Sequence, residues 1–351
     1  MLPGKKIRVL VTDDSALMKL ILRDIVNSQP DMEVVGVASN GLEAIEKCKE
    51  LNPDVITLDI EMPKMSGIEA LKRIIEEKPT PVIMVSSLTE EGAAITTEAL
   101  EIGAVDFVTK PGGSISGNFR TVADELVEKI RNAAQVDVNK LRYRPKLAPS
   151  RKSLKLPSLG LMKKAVGIAS STGGPRSLQY IIPALPANFP APVFLVQHMP
   201  PTFTKSLAMR LDRDSQVTVV EAGDGDMVKS GVVYVAPGDY HMGIRAEGNE
   251  MKVYLDKAEK INNVRPAADY TFDKMAEIFG ANSIGVVLTG MGKDGTLGVF
   301  KIKHYGGRVI AESKETCIVY GMPKSVVEEG YADYVLPVYE IADKLVELVE
   351  G

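Results

Sequence analysis

Short apolar runs alternate with amphipathic segments through residues 1–134. The apolar runs predict five strands, at Ile7–Thr12, Glu33–Ala38, Val55–Leu58, Pro81–Val85 and Asp106–Thr109. Apolar positions with helical spacing predict helices near residues 15–28, 41–51, 67–77, 90–101 and 119–134. Nearly all-apolar strands separated by helices are typical of a parallel sheet that is covered on both faces. We therefore predict a doubly wound (βα)5 domain over residues 1–134.

A second α/β series occupies residues 163–351. Strands are predicted at Ala165–Ala169, Pro192–Gln197, Val217–Glu221, Val232–Ala236, Ile284–Thr289 and Arg308–Ala311. Helical patterns lie near residues 175–182, 203–211, 266–279, 294–305 and 339–349. The segment Met242–Leu255 alternates apolar and polar positions around Glu247-Gly248-Asn249, which is typical of a β-hairpin. The pattern predicts a doubly wound, mostly parallel α/β domain with an antiparallel hairpin.

The composition changes between these two series. Residues 137–164 contain nine lysines or arginines against one aspartate, with Pro145, Pro149 and Pro157 interspersed. Proline-rich, charged segments of this kind act as extended tethers. We interpret residues 135–162 as a mobile basic linker, in preference to a dedicated anion-binding segment.

The bulk composition excludes several classes of protein. The chain of 351 residues is long enough for two domains, and 45% hydrophobic residues are typical of globular proteins. A net charge of −4 does not fit a basic nucleic-acid-binding domain. Two cysteines, Cys48 and Cys317, are too few for a disulfide framework or a zinc site. No apolar run reaches the length of a signal sequence or a membrane span. We expect a cytoplasmic protein without membrane insertion.

Polar side chains follow the strands of the first series. Asp13 and Asp14 end the first strand, and Asp59 ends the third. These strand ends are neighbours in a doubly wound sheet, so three carboxylates should converge. Crowded carboxylates repel one another unless a cation lies between them, and Mg²⁺ prefers such oxygen ligands. A hydroxyl and an ammonium end the fourth and fifth strands, namely Ser86 or Ser87, and Lys110.

Residues 5–130 resemble the response-regulator receiver family, which has a flavodoxin-like fold. The motifs that carry the resemblance are Asp13-Asp14-Ser15, Asp59-Ile60-Glu61-Met62-Pro63, Gly67, Ser86-Ser87 and Lys110-Pro111. The resemblance implies that Asp59 accepts a phosphoryl group from a histidine kinase, that Ser86 senses it and that Lys110 pairs with it. The implied Mg²⁺ ligands are Asp14, Asp59 and the Glu61 backbone carbonyl, with Asp13 in the outer coordination shell.

The second series contains a candidate nucleophile. Residues 166–175 run from a strand into a helix, and Pro175 suits the first helical turn. A helix N-terminus at the carboxyl edge of a sheet favours developing negative charge, so Ser171 is well placed to attack. The first glycine of the G-x-S-x-G nucleophile motif is missing, since Ala169 occupies that position. The segment alone fits a phosphate-binding loop or a helix cap equally well.

A serine nucleophile needs a general base, and the chain has only three histidines. His198 directly follows the strand Pro192–Gln197, which comes next after the serine strand, so parallel pairing brings it to the same edge as Ser171. His241 also follows a strand and is the second candidate. His304 lies in a helical pattern and is expected to be structural.

The third member of a serine triad is a carboxylate that orients the imidazole. Asp294 lies in the glycine-rich segment Thr289-Gly290-Met291-Gly292-Lys293-Asp294-Gly295, directly after a predicted strand. An isolated aspartate at this position can simply cap the helix that follows. Its conjunction with Ser171 and His198, each at a strand end, favours the triad.

Residues 163–351 resemble the catalytic domain of chemotaxis protein-glutamate methylesterases of the CheB type. The resemblance rests on Ala169-Ser170-Ser171-Thr172-Gly173-Gly174, Gln197-His198-Met199-Pro200, Ala236-Pro237-Gly238-Asp239 and the segment 289–295. It implies Ser171, His198 and Asp294 as catalytic residues. Thr172 would lie beside the site, and the Met291 backbone N–H would be an oxyanion donor. Ser170 stands where many relatives have another residue, which leaves open which serine attacks.

The combined resemblance implies a phosphorylation-regulated hydrolase of glutamate γ-methyl esters on chemoreceptors, with deamidation of receptor glutamines as a second activity. Its expected partners are methylated chemoreceptors and a chemotaxis histidine kinase, but no nucleic acid, and a monomer is expected. Mg²⁺ would bind in the receiver domain, and the ester hydrolysis would need no cofactor. The alternative is a response regulator whose output domain only binds a partner.

Overall fold

A computed structural model of the protein describes residues 5–110, 118–142, 163–248 and 250–351. The chain divides into two units, with the boundary between Arg144 and Pro145. Most of the predicted linker, residues 143–162, lies outside the described residues.

The first unit is built on a five-stranded parallel sheet. Its strands are β1 (Ile7–Thr12), β2 (Met32–Ala38), β3 (Val55–Asp59), β4 (Val82–Ser86) and β5 (Asp106–Thr109). The order across the sheet is β2-β1-β3-β4-β5, so the chain winds both ways from β1. The accompanying helices are α1 (Ala16–Asn27), α2 (Gly41–Leu51), α3 (Gly67–Glu77), α4 (Glu90–Ile102), α5 (Asn118–Ala133) and α6 (Val138–Arg142). The predicted doubly wound fold is confirmed.

Local polar residues begin the helices of this unit. Ser66 and Glu69 form a reciprocal capping box at the start of α3, and the Thr89 side chain accepts the Gly92 N–H at the start of α4. Such caps satisfy N–H groups that have no partner inside the helix. The short α6 lies within the segment that we predicted as linker. Its Leu141 is buried, so the packing of the first unit continues beyond residue 134.

The second unit contains a seven-stranded parallel sheet and a separate hairpin. The strands are β6 (Ala165–Ser170), β7 (Val193–Gln197), β8 (Thr218–Glu221), β9 (Val232–Val235), β10 (His241–Glu247), β11 (Glu250–Asp256), β12 (Ser283–Val287), β13 (Arg308–Glu312) and β14 (Tyr334–Leu336). The large sheet has the order β14-β13-β12-β6-β7-β9-β8. Strands β10 and β11 pair antiparallel as the predicted hairpin.

Six helices are described in this unit: α7 (Gly174–Ile181), α8 (Phe203–Asp214), α9 (Ala268–Phe279), α10 (Thr296–His304), α11 (Met322–Glu328) and α12 (Val338–Glu350). The predicted pattern missed α11 and β14. Both are too short to show a clear hydrophobic period, although Pro323 near the start of α11 is a typical start signal.

The ring of Phe272 in α9 fills space that glycines leave open. A Cβ atom on Gly167 of β6 would lie 2.6 Å from Phe272 Cε1, and one on Gly298 of α10 would lie 2.5 Å from Phe272 Cβ. Real side chains do not tolerate such distances. The glycines therefore allow α9 to lie close to both β6 and α10, which fixes the position of the N-terminus of α9.

Removing this ring should destabilise the second unit. We expect Phe272→Ala to lower the free energy of unfolding by about 3–5 kcal/mol, because the fully buried ring leaves a cavity. Phe300→Ala is the matched control, since Phe300 is 43% exposed and should lose far less. Denaturant unfolding followed by circular dichroism measures both changes. Equal losses in the two variants would contradict this account of the core.

Candidate active site and acidic pocket

The loops that follow β6 and β7 leave the sheet side by side. The parallel register pairs Ser170 with Gln197, so Ser171 and His198 are the next residues at the same edge. The His198 N–H donates to the Ser170 carbonyl at 3.1 Å, and the Ser171 N–H donates to the Thr289 carbonyl at 3.1 Å. The structure thus brings together the three segments that the sequence singled out.

The two serines have different surroundings. Ser170 is fully buried, and its Oγ donates to Gln197 Oε1 at 2.6 Å. Gln197 Nε2 donates in turn to the Ser171 carbonyl at 3.0 Å and to the His198 carbonyl at 3.3 Å. Ser171 is only half-buried. The accessible serine is therefore Ser171, while Ser170 belongs to the support beneath it.

A short hydrogen bond joins His198 to Asp294. His198 Nε2 lies 2.7 Å from Asp294 Oδ2, and Asp294 is 2% exposed. Burial alone would raise the pKa of Asp294, but the hydrogen bond and charge of His198 and two backbone N–H groups lower it. The carboxylate is therefore ionised at neutral pH. Because Nε2 faces Asp294, Nδ1 is the ring nitrogen left to take a proton from a hydroxyl group.

Asp294 does not cap α10, the helix that follows it in the chain. Its oxygens accept the Ala268 N–H at 2.6 Å and the Asp269 N–H at 3.1 Å, and both donors lie in the first turn of α9. The first turn of α10 is bound by another carboxylate, since the Gly298 N–H donates to Asp269 Oδ1 at 2.8 Å. Asn262 Nδ2 bridges the two carboxylates, at 3.1 Å from Asp294 Oδ1 and 2.9 Å from Asp269 Oδ2. We call this arrangement of Asp294, Asp269 and Asn262 the crossed caps.

The other histidines have structural surroundings. His241 is fully buried; its Nδ1 accepts the Ala267 N–H at 3.2 Å, and its Nε2 lies 3.0 Å from the Glu259 carbonyl. Nδ1 is thus the acceptor and Nε2 the donor, so both nitrogens are engaged by backbone groups. His304 is exposed at the end of α10. The geometry favours His198 over His241 as a base.

A buried carboxylate supports the loop after β12. Glu312 is fully buried; its Oε2 accepts the Thr289 N–H at 2.8 Å and the Ser177 hydroxyl at 3.2 Å, while its Oε1 accepts the Thr316 hydroxyl at 2.9 Å. The Thr289 hydroxyl donates to the Thr172 carbonyl at 3.0 Å. This network connects the serine loop with the segment that contains Met291. The oxyanion role of the Met291 N–H stays a prediction.

Three carboxylates converge in the first unit. Ligand oxygens of Asp13, Asp14 and Asp59 all lie within 4.8 Å of one another. Lys110 Nζ lies 2.7 Å from Asp59 Oδ2 and 3.2 Å from Asp13 Oδ2. Burial raises the pKa of Asp59 to about 6 and the charge of Asp13 adds to this, although the hydrogen bond from Lys110 acts in the opposite direction. The carboxylates are held at close range despite their mutual repulsion.

This pocket fits a hard divalent cation. All three side chains offer oxygen, which is the donor type that Mg²⁺ prefers. The buried Asp13 Oδ2 forms an ion pair with Lys110 but no hydrogen bond, so its coordination is incomplete. Glu61 is exposed, and a ligand role for its carbonyl stays a prediction. Ser86 Oγ accepts a hydrogen bond from the Thr96 hydroxyl of α4 at 2.7 Å. To sense a phosphoryl group, the Ser86 side chain would have to rotate away from Thr96.

Comparison with known proteins decides the family. Residues 166–345 match the family model described as CheB methylesterase, and residues 9–115 match the response regulator receiver domain. The chain belongs to the CheB methylesterase family. The family resemblance stated from the motifs is therefore confirmed, and so is its combination with a receiver domain.

Relatives within this family align along nearly the whole chain. A protein-glutamate methylesterase/protein-glutamine glutaminase from Thermotoga maritima is 65% identical over 343 residues, covering 98% of both chains. One from Pyrococcus abyssi is 49% identical and covers 99% of this chain and 95% of its own. The crystal structure of the Thermotoga maritima CheB methylesterase catalytic domain is 66% identical, with a TM-score of 0.53, and covers 54% of this chain and 100% of its own. Among the described residues, no helix is both long and apolar enough to cross a bilayer.

Proposed function

We propose that this protein is a phosphorylation-regulated protein-glutamate methylesterase. It hydrolyses glutamate γ-methyl esters on chemoreceptors, and it deamidates receptor glutamines as a second activity. The observation that carries this proposal is the 2.7 Å hydrogen bond between His198 and Asp294, with the accessible Ser171 on the adjoining strand end. A binding-only output domain would leave this arrangement without a purpose.

Ester hydrolysis follows from these three side chains. Ser171 Oγ attacks the ester carbonyl carbon, and His198 takes the hydroxyl proton. The bond to the methoxy group then breaks, and His198 returns the proton so that methanol leaves. Water attacks the acyl-enzyme, His198 carries its proton to Ser171, and glutamate is released. Asp294 stabilises the charged imidazole throughout, and a glutamine substrate releases ammonia in place of methanol.

The N-terminus of α7 supports the choice of Ser171 as nucleophile. The negative oxygen that forms during attack would lie near Thr172 and the Met291 N–H, and we propose both as its stabilising neighbours. Helix N-termini favour negative charge, and preorganised N–H donors lower the barrier because they need no rearrangement. The Glu312 network supports this geometry by holding Thr289, the residue at the start of the loop.

The receiver domain supplies the regulation. Asp59 accepts a phosphoryl group from a chemotaxis histidine kinase, and Lys110 pairs with the added charge while Ser86 senses it. Asp14, Asp59 and the Glu61 carbonyl would hold Mg²⁺, with Asp13 in the outer shell. The ion supplies positive charge that offsets the carboxylates and the incoming phosphoryl group.

The remaining assignments follow this function. We propose a receiver domain over residues 1–134, a linker over 135–162 whose first part forms the packed helix α6, and a catalytic domain over 163–351. A cytoplasmic monomer is consistent with a substrate on the cytoplasmic part of chemoreceptors. Methanol release from methylated receptor is the test that separates an esterase from a binding-only output domain.

The two serines should behave differently when replaced. We expect Ser171→Ala to lower methanol release by ~10⁴-fold or more, because a triad without its nucleophile retains little activity. Ser170→Ala is the matched control and should keep much of the activity, since its hydroxyl supports Gln197 from within the core. Near-normal turnover in Ser171→Ala would refute the assignment.

The histidines provide a second comparison. His198→Ala should resemble Ser171→Ala, and the double variant should be scarcely slower, because residues that act as one unit are not additive. His241→Ala should lower the free energy of unfolding, because His241 is buried and bonded to two backbone groups, but its folded fraction should turn over substrate. Activity is measured per folded molecule. The assignment fails if His241→Ala is the inactive variant and His198→Ala is not.

Phosphorylation should depend on one residue. With Mg²⁺ present, a small phosphoryl donor such as acetyl phosphate should label the wild type but not Asp59→Asn. The same donor should raise wild-type turnover by about 5–150-fold, the range of ~1–3 kcal/mol couplings between sites, and leave Asp59→Asn at its basal rate. Equal labelling of both proteins would contradict the role of Asp59.

A further inference from the structure

A second carboxyl group lies directly behind the candidate triad, and the reaction described above does not use it. Asp269 is 7% exposed and accepts the Gly298 N–H at 2.8 Å. Asn262 Nδ2 donates to Asp269 Oδ2 at 2.9 Å and to Asp294 Oδ1 at 3.1 Å. The amide therefore ties the buried Asp269 to the carboxylate that contacts His198.

We propose that Asp269 and Asn262 are positioning residues that hold Asp294 and, through it, set the pH range in which His198 acts as a base. This inference rests on the proposed function, because it takes His198 and Asp294 to be members of a working triad. Neither residue needs to contact the substrate. Asn262 reaches the reaction through the hydrogen bond between Asp294 and His198, and Asp269 adds its negative charge to that of Asp294.

Geometry gives Asn262 its part. Asp294 Oδ2 is directed at His198 and at the Ala268 N–H, whereas Oδ1 is held by the Asp269 N–H and by Asn262. These donors on opposite oxygens prevent the carboxylate from rotating. Without the amide, Oδ1 would keep one backbone bond, and the carboxylate would spend less time aligned with the imidazole.

Asp269 contributes through its negative charge. An anion behind Asp294 adds to the negative potential at His198 and stabilises the imidazolium that forms during the reaction. Burial raises the pKa of Asp269 to about 6, and the charge of Asp294 adds to this. Asp269 therefore gains its charge as the pH rises through about 6. Below that pH it is neutral and gives the imidazolium less support.

The titratable groups around Asp269 come from several elements. Asp294 faces it from the loop after β12 and is joined to it by Asn262, and Asp294 in turn binds His198 from the loop after β7. His241 lies at the start of β10 and binds the Ala267 N–H, which directly precedes α9. On α9 itself, Asp273 lies one turn further along and forms ion pairs with Lys274 and Lys301 at the surface.

The test measures kcat and KM for methanol release from methylated receptor by the full-length protein between pH 5 and 9. Asp269→Asn should lower kcat roughly threefold to tenfold at pH 8, the fold-change that corresponds to a 0.5–1 unit change in support for the imidazolium, and leave KM unchanged. The acid limb of its kcat/KM profile should move to lower pH by about 0.5–1 unit, because one negative charge near the base is gone.

Three variants make the comparison specific. Asp273→Asn removes the same charge from the same helix and should leave kcat and the acid limb unchanged. Asp269→Glu retains the charge and should keep the wild-type acid limb even where kcat falls. Asn262→Ala should lower kcat at unchanged KM but move the acid limb less than Asp269→Asn, because both carboxylates remain.

The outcomes separate this inference from the proposed function. Activity in Ser171→Ala or His198→Ala, measured in parallel, would overturn the proposed function itself. If those variants are inactive but folded Asp269→Asn has the wild-type acid limb and kcat, only the positioning role is wrong. Circular dichroism reports folding. If Asp269→Asn does not fold, Asn262→Ala decides, and a wild-type kcat in that variant overturns the inference.

Discussion

The catalytic half of this protein depends on how two buried carboxylates are satisfied. Asp294 and Asp269 are 2% and 7% exposed, and a buried carboxylate is costly unless donors surround it. Asp294 accepts a hydrogen bond from the first turn of α9. Asp269 is itself in α9 and accepts one from the first turn of α10. The crossed caps therefore satisfy the helix ends and fix the carboxylate facing His198. Phe272 makes them possible, because its contacts with Gly167 and Gly298 bring α9 close to β6 and α10.

One topological rule accounts for both sites. In parallel sheets the loops at the carboxyl ends of neighbouring strands meet at one edge. In the first unit β1 and β3 are neighbours, and their ends carry Asp13 and Asp59. In the second unit β6 lies between β12 and β7, so the serine loop has Thr289 on one side and His198 on the other. A phosphoryl acceptor and a hydrolytic site can thus be built on similar scaffolds by changing only the residues after each strand.

Strand ends are also where the sequence was most informative. The positions of Asp59, Ser171, His198 and Asp294 followed from apolar runs that end in polar residues, because the chain itself shows where a buried strand stops. The roles of Asn262, Asp269 and Glu312 could not be found this way. Their hydrogen-bond partners Asp294, Gly298 and Thr289 lie 32, 29 and 23 residues away in the chain, respectively. These pairs meet only once helices and strands have packed. The choice between Ser170 and Ser171 likewise needed the structure, since adjacent serines differ only in which one points into the core.

The two carboxylates Asp294 and Asp269 also explain how the site keeps a negative charge next to His198. Burial acts against ionisation in both, yet the pKa of Asp294 is lowered while that of Asp269 is raised to about 6. Backbone N–H groups bind both carboxylates, so the difference arises because Asp294 has the hydrogen bond and charge of His198, whereas the charge of Asp294 itself opposes ionisation of Asp269. As the pH falls, the first proton should therefore go to Asp269 and not to the carboxylate that orients the imidazole. Surroundings that separate the pKa values of two neighbouring acids in this way give the two acids different tasks. Here Asp294 stays charged against His198, and Asp269 takes up the proton.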